Sequence, residues 1–470
     1  MAGSNGLLHL VNFGTFVFLA RILGPSDIGL AAFALVIIDT VRLLIVSGIP
    51  DALIRSDRWD NSLATGAFVF LLSIGLVLIG LACLLVLIFH REGAAPSGLD
   101  IFAALSPLFL IEALSVVPEA LLRRRLMFRS LSIRNVMSTL TTGLIGIALA
   151  LFGWGVWSLV ASRLIGAVLA SALTWSASRW TPQRGASFQD LRNLLAFTGW
   201  LTMAQLVGQL SYRIPDFAIG TILGPAALAT YRVGARIVDV ALQVVVHPFQ
   251  QTSLPFFCSE HTKDQLETSY RELSSGLVIL LYPIFFSLSV CGPDLVLVFF
   301  GPKWASSGQV LTVIPLSCVA AALIYLSSPA LIAVGKIRSI FALSVVVTVA
   351  SLPAFVLASF GVTYVAASAV LRDCITLPVI LYVLRRDISL KLIPLFRLVA
   401  PTFACALIIY IATTILKGAM EPGIVRLTAI LLCSAGGYAT LLWLLDPRAA
   451  SRATVMIRRV YNRNSASSAY

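Results

Sequence analysis

The tetrapeptide Ile22-Leu23-Gly24-Pro25 recurs two hundred residues later as Ile222-Leu223-Gly224-Pro225, each time between the end of one apolar stretch and the start of the next. The register holds downstream. Ile37 and Asp39 are matched by Ile237 and Asp239, so an acidic residue sits at the same depth in both apolar segments. A chain built twice folds as two like halves, and a doubled apolar unit is characteristic of membrane transporters.

Of 470 residues, 59% are hydrophobic and 12% charged, and the mean hydropathy is +0.95. Soluble domains carry about a quarter charged residues. The expected fold class is an all-α polytopic membrane protein. A bilayer core takes roughly 20 apolar residues per helix. Cutting at polar, Gly and Pro breaks predicts about fourteen spans: 3–22, 28–53, 63–90, 100–122, 133–152, 155–177, 194–222, 227–257, 273–300, 307–334, 338–359, 363–384, 398–416 and 424–445. The second, seventh and eighth are polar enough for hydropathy alone to miss them. The N-terminus enters an apolar stretch without a basic region or a cleavage site, so residues 3–22 are expected to be retained. Their abrupt start leaves a coding start upstream of Met1 open.

Cationic loops stay cytoplasmic. With both termini inside, the even-numbered connections collect Arg55 and Arg58, then Arg123, Arg124, Arg125, Arg129 and Arg134, then Arg179, Arg184 and Arg192, then Lys263 and Arg271, then Lys336 and Arg338, and finally Arg385, Arg386, Lys391 and Arg397. The outward connections hold only Arg21, Arg91, Lys303, Lys417 and Arg426. The net charge of +13 is therefore mostly topological, and nucleic acid need not be invoked. Trp154, Trp157, Trp175 and Trp180, at the ends of the sixth span, fit an interfacial aromatic belt.

Weaker matches extend the duplication. Phe152, Gly153 and Arg163 echo Phe360, Gly361 and Arg372, and Arg129-Ser130-Leu131 echoes Arg338-Ser339-Ile340. Six spans per repeat make the halves point the same way, related by an axis along the membrane normal with a cavity between them. The expected organisation is an N-terminal lobe over 1–193, a C-terminal lobe over 194–397, two additional helices over 398–445 and a cytoplasmic basic tail over 446–470.

Six arginines remain after the loops are accounted for: Arg42, Arg163, Arg213, Arg232, Arg236 and Arg372. At roughly 2.5 to 3.5 kcal/mol each at a helix centre, together they would oppose insertion by about 15 to 20 kcal/mol if they faced lipid. They are expected to face a wet cavity or acidic partners. Arg232, Arg236 and Asp239 share one helical face, Arg213 and Asp216 flank Pro215, Asp39 lies one turn before Arg42, and Glu112 and Glu119 share a face. Structural ion pairs or snorkelling arginines are the plain alternative, above all for Arg163 and Arg372. A surplus of positive charge, however, attracts anions, and guanidinium forks suit phosphate. Asp39, Asp239, Asp216, Glu112 and Glu119 are also candidates for coupling transport to a proton or sodium gradient.

Nothing in the chain reads as an enzyme or calls for a cofactor. There is no GxxxxGK[ST] phosphate loop, the seven cysteines lack paired spacing, and the four histidines lack ligand spacing. Prolines within spans, including Pro107, Pro118, Pro215, Pro248, Pro283, Pro315 and Pro329, free carbonyls and allow bending.

The stretches FLARILGPSDIGL (18–30), FGWGVWSLVASRL (152–164), DFAIGTILGPAALATYRVGARIVDV (216–240) and LYPIFFSLSVCGPDLVLVFFGPKW (281–304) resemble the oligosaccharide flippase family, within the multidrug/oligosaccharidyl-lipid/polysaccharide exporter superfamily. The resemblance covers nearly the whole chain. It implies two six-helix lobes and two extra helices. It also implies alternating access, and an undecaprenyl-diphosphate-linked oligosaccharide as substrate, flipped across a bacterial inner membrane for lipopolysaccharide or exopolysaccharide assembly, with a polysaccharide polymerase as a possible partner. It carries over no individual site residue. A cation-coupled multidrug antiporter of the same superfamily is the alternative and would favour an acidic cavity. A scaffolding protein would tolerate neutral replacement of the charges.

Overall fold

The computed structural model describes residues 2–46, 49–55, 59–89, 98–183, 188–260 and 262–445, and among these the regular structure is helical. In chain order the α-helices are α1 (Ala2–Ile22), α2 (Pro25–Val46), α3 (Ile49–Arg55), α4 (Asn61–Phe89), α5 (Gly98–Leu105), α6 (Pro107–Arg124), α7 (Phe128–Leu151), α8 (Val156–Ser178), α9 (Phe188–Ile222), α10 (Pro225–Cys258), α11 (Lys263–Phe300), α12 (Ser307–Ile324), α13 (Ser327–Ala333), α14 (Ile337–Ser351), α15 (Pro353–Ala358), α16 (Val362–Ile388), α17 (Leu392–Gly418) and α18 (Ile424–Leu445). They follow the expected spans, four of which are cut in two: α2/α3, α5/α6, α12/α13 and α14/α15. Ten stretches among the described residues are long and apolar enough to cross a membrane. Those that fall short include α2, α9 and α10, the helices that carry Asp39, Arg42, Arg213, Asp216, Arg232, Arg236 and Asp239. The protein is a multi-pass membrane protein, and its least apolar helices hold much of its intramembrane charge.

Two compact units divide the described chain, Gly3–Ala229 and the residues from Thr230 on. The division falls inside α10, whereas the sequence repeat restarts at 194. Helix α9, the first helix of the second repeat by sequence, packs on α2, α3 and α4. Repeat and compact unit are thus different divisions of the chain. The tail expected over 446–470 lies outside the described residues.

Both copies of the repeated tetrapeptide form helix junctions with proline opening the next helix, where its missing N–H costs no hydrogen bond. Leu23 N–H donates to Leu19 O at 2.8 Å and Leu223 N–H to Ile219 O at 2.9 Å. Ile28 N–H donates to Gly24 O and Leu228 N–H to Gly224 O, both at 3.2 Å. Gly224 sits at φ +87°, the left-handed region that glycine enters without strain. The two junctions also meet. A Cβ at Gly29 would lie 1.9 Å from the Pro225 carbonyl oxygen, so only glycine lets α2 approach the first turn of α10 this closely.

Prolines inside spans remove the donor for the carbonyl four residues back, and inside a bilayer that carbonyl needs another partner. In four cases a side chain supplies it. Ala103 O, freed by Pro107, accepts from Ser106 Oγ at 2.7 Å. Leu114 O, freed by Pro118, accepts from Trp175 Nε1 at 3.0 Å. Ile279 O, freed by Pro283, accepts from Tyr438 OH at 3.0 Å. Tyr325 O, freed by Pro329, accepts from Gln250 Nε2 at 3.0 Å. The Trp175 bond corrects the expected aromatic belt at one end of α8. Trp154 and Trp157 are exposed, but Trp175 and buried Trp180 pack on Phe68 with ring centroids 5.9 and 5.2 Å away. The carbonyl opened by Pro118 draws the indole inward.

Candidate functional site: an arginine cluster around Asp39

Helix α2 packs against α6, α8 and α9, and each of these brings a charged side chain to the same place. Asp39 and Arg42 lie one turn apart on α2 and so face the same way. Around the Asp39 carboxylate stand Arg213 of α9 at 3.5 Å, Arg163 of α8 at 3.7 Å and Arg42 itself at 3.8 Å. All three contacts are longer than a hydrogen bond. The guanidinium groups are drawn in by charge without being locked by directed bonds.

Glu112 of α6 makes the closest charge contact of the group: its Oε2 lies 2.7 Å from Arg42 Nε, though without the alignment of a hydrogen bond. Arg163 also lies within electrostatic range of Glu112. The group therefore counts three guanidinium groups against two carboxylates. It is open as well, since the Arg42 and Arg163 side chains keep 36% and 45% of their surface uncovered by protein. An accessible cluster with one positive charge in excess, built from planar donor forks, is equipped to bind a phosphate-bearing anion.

Five of the sequence candidates, Asp39, Arg42, Glu112, Arg163 and Arg213, thus come together from four helices. The others stand elsewhere. Asp216 is buried on α9. Glu119 lies at the far end of α6, bonded to Arg123 at 2.5 Å and Arg134 at 2.6 Å. In the second unit Arg236 of α10 is in electrostatic contact with Arg232 and Asp239, as their shared helical face predicts. Arg372 of α16 is 2.7 Å from Asp373, with both side chains largely covered.

Two acidic residues outside the candidate set carry weight in the structure. Asp373 is the partner of Arg372. Asp294 of α11, 1% exposed, is bonded by both Nε and Nη2 of Arg426. Arg426 also donates to Met420 O at 3.1 Å, and Lys417 donates to Val290 O at 2.7 Å. Arg426 reads from sequence as a residue of an outward loop, yet it is a buried clasp between α18 and α11. A carboxylate inside an apolar span, immediately after Pro293, was the available signal that a cation had to reach it.

Residues 18–309 match the family described as polysaccharide biosynthesis protein. Among curated proteins, the chain is 25% identical over 312 residues to the succinoglycan biosynthesis transport protein ExoT of Rhizobium meliloti, covering 65% of this chain and 62% of that protein. It is 23% identical over 351 residues to the lipopolysaccharide biosynthesis protein WzxC of Escherichia coli, covering 72% of this chain and 70% of that one. Among solved structures, the lipid II flippase MurJ in an inward closed conformation superposes with a TM-score of 0.78 over 94% of this chain and 97% of its own, at 11% identity. That likeness establishes the fold.

Proposed function

The chain belongs to the polysaccharide biosynthesis protein family, and from that premise we propose that it flips a lipid-linked oligosaccharide, joined through a diphosphate, across a bacterial inner membrane by alternating access. The observation that carries this reading is the open three-arginine cluster on α2, α8 and α9, which offers guanidinium forks where a diphosphate needs them. Arg232 and Arg236 add a second cationic group on α10. The names of the relatives, a succinoglycan transport protein and a lipopolysaccharide biosynthesis protein, support a surface polysaccharide repeat unit as cargo. The arginine-rich helix ends at Arg123–Arg125 and Arg385–Arg386 support cytoplasmic termini. A cation-exporting antiporter would need an acidic surplus, and the cluster has the opposite sign.

The test is polysaccharide export in a deletion strain complemented with an Arg42→Gln, Arg213→Gln double variant and, separately, an Arg232→Ala, Arg236→Ala double variant. Each is expected to lose export at unchanged protein abundance, with lipid-linked repeat units accumulating. Export at the wild-type level from both would defeat the reading.

A further inference from the structure

Asp39 is approached by three arginines, and its contacts differ in kind from other carboxylate–arginine pairs of the protein. Glu119, Asp373 and Asp387 each hold an arginine within 2.5 to 2.9 Å, and Asp294 is bonded by two nitrogens of Arg426. At Asp39 no guanidinium comes closer than 3.5 Å. A carboxylate meant to lock helices together would be expected to take the short, directed geometry seen where Asp294 of α11 meets Arg426 of α18 and where Glu119 of α6 meets Arg134 of α7. Asp39 instead is met by three guanidinium groups at ionic distance only.

We propose that Asp39 is a resident counter-anion, which holds the Arg42, Arg163 and Arg213 groups on station in the absence of substrate and is displaced by the diphosphate of the lipid-linked cargo. This rests on the function proposed above and adds the residue that governs loading and release. The charge count supports displacement. A diphosphate esterified at both ends carries one ionised oxygen on each phosphoryl group. Those two charges and Glu112 together balance the three guanidinium groups, whereas a cluster that also kept Asp39 in place would be left negative. Glu112 stays, because at 2.7 Å from Arg42 Nε it is held closer than Asp39 is to any of the three arginines. Returning to the cradle, the Asp39 carboxylate competes with the diphosphate and speeds its release. Loose contacts make the exchange easy, since no directed hydrogen bond has to break before the anion enters.

Two substitutions move binding in opposite directions. Asp39→Asn removes the competitor at nearly constant volume, and Asp39→Glu lengthens it by one methylene so that it reaches hydrogen-bonding distance of the guanidinium groups. The experiment titrates inorganic pyrophosphate into purified full-length protein in nanodiscs, by calorimetry, beside export in the complemented strain. Asp39→Asn is expected to bind pyrophosphate about three- to fivefold more tightly, the scale for removing a partly exposed charge beside an anion, and to export more slowly. Asp39→Glu is expected to bind more weakly than wild type. Should Asp39→Asn not fold, the sign of the Asp39→Glu change decides alone. Binding by Asp39→Asn equal to or weaker than wild type, or binding by Asp39→Glu equal to or tighter, overturns the counter-anion role. If Arg42→Gln still weakens pyrophosphate binding in that case, the proposed function survives. If Arg42→Gln leaves binding unchanged, it is that function which fails.

Discussion

The two compact units carry corresponding broken spans and close them differently. In the first, the break between α5 and α6 is closed locally, since Ser106 donates both its hydroxyl and its own N–H to Ala103 O. In the second, the break between α12 and α13 has the same local kind of bond, from the Ser327 hydroxyl to Ile324 O at 2.7 Å, and adds two from other helices. Gln250 of α10 takes Tyr325 O, and the buried hydroxyl of Tyr270 on α11 takes Leu323 O at 2.7 Å. The same contrast holds for charge. Arg163 and Arg372 fall within one residue of each other in the repeat register, yet Arg163 is half exposed and loosely held by Asp39, while Arg372 is largely covered beside Asp373. Duplication preserved the helical frame and let the side chains specialise. The first unit keeps a cluster of charges accessible, as the proposed function requires, and in the second Arg426 with Asp294, and the hydroxyls of Tyr270 and Tyr438, join helices.

The largest expected effect falls on the second unit's clasp. Arg426→Ala strands the buried Asp294 carboxylate and is expected to cost about 3–5 kcal/mol, read as a lowered unfolding midpoint in detergent. A loss no greater than that from Arg163→Gln would erase the contrast between the units. Tyr270→Phe comes next, at about 0.6–1.7 kcal/mol for one hydrogen bond in a membrane protein. Faster amide exchange is expected at the start of α13, with Ser106→Ala as control, because Ala103 O there keeps its bond from the Ser106 N–H. Equal effects of the two variants would show that local and borrowed closures are equivalent. Arg163→Gln should change stability least, by about 0–1 kcal/mol as for an exposed ion pair, while reducing export. Unchanged export would remove Arg163 from the ligand-binding set.

Much of the frame was legible along the chain. Span lengths, the tetrapeptide junctions and the arginine-rich connections follow from local rules, because a bilayer demands apolar stretches of set length and penalises stray charge. The same penalty singled out Asp39, Arg42, Glu112, Arg163 and Arg213 as residues needing partners. Pairing across helices was hidden. Arg42 joined to Glu112, Arg426 to Asp294, and Trp175 to the carbonyl opened by Pro118 all link residues tens of positions apart.

Composition and periodicity by themselves determined that this chain spans a membrane as a doubled helical bundle with costly cations at depth, since those properties are summed residue by residue. Only tertiary structure decided which carboxylate each arginine meets and how closely. Those distances depend on how helices pack, and the small residues that govern packing, such as Gly29 against Pro225, carry no label for the partner they will touch.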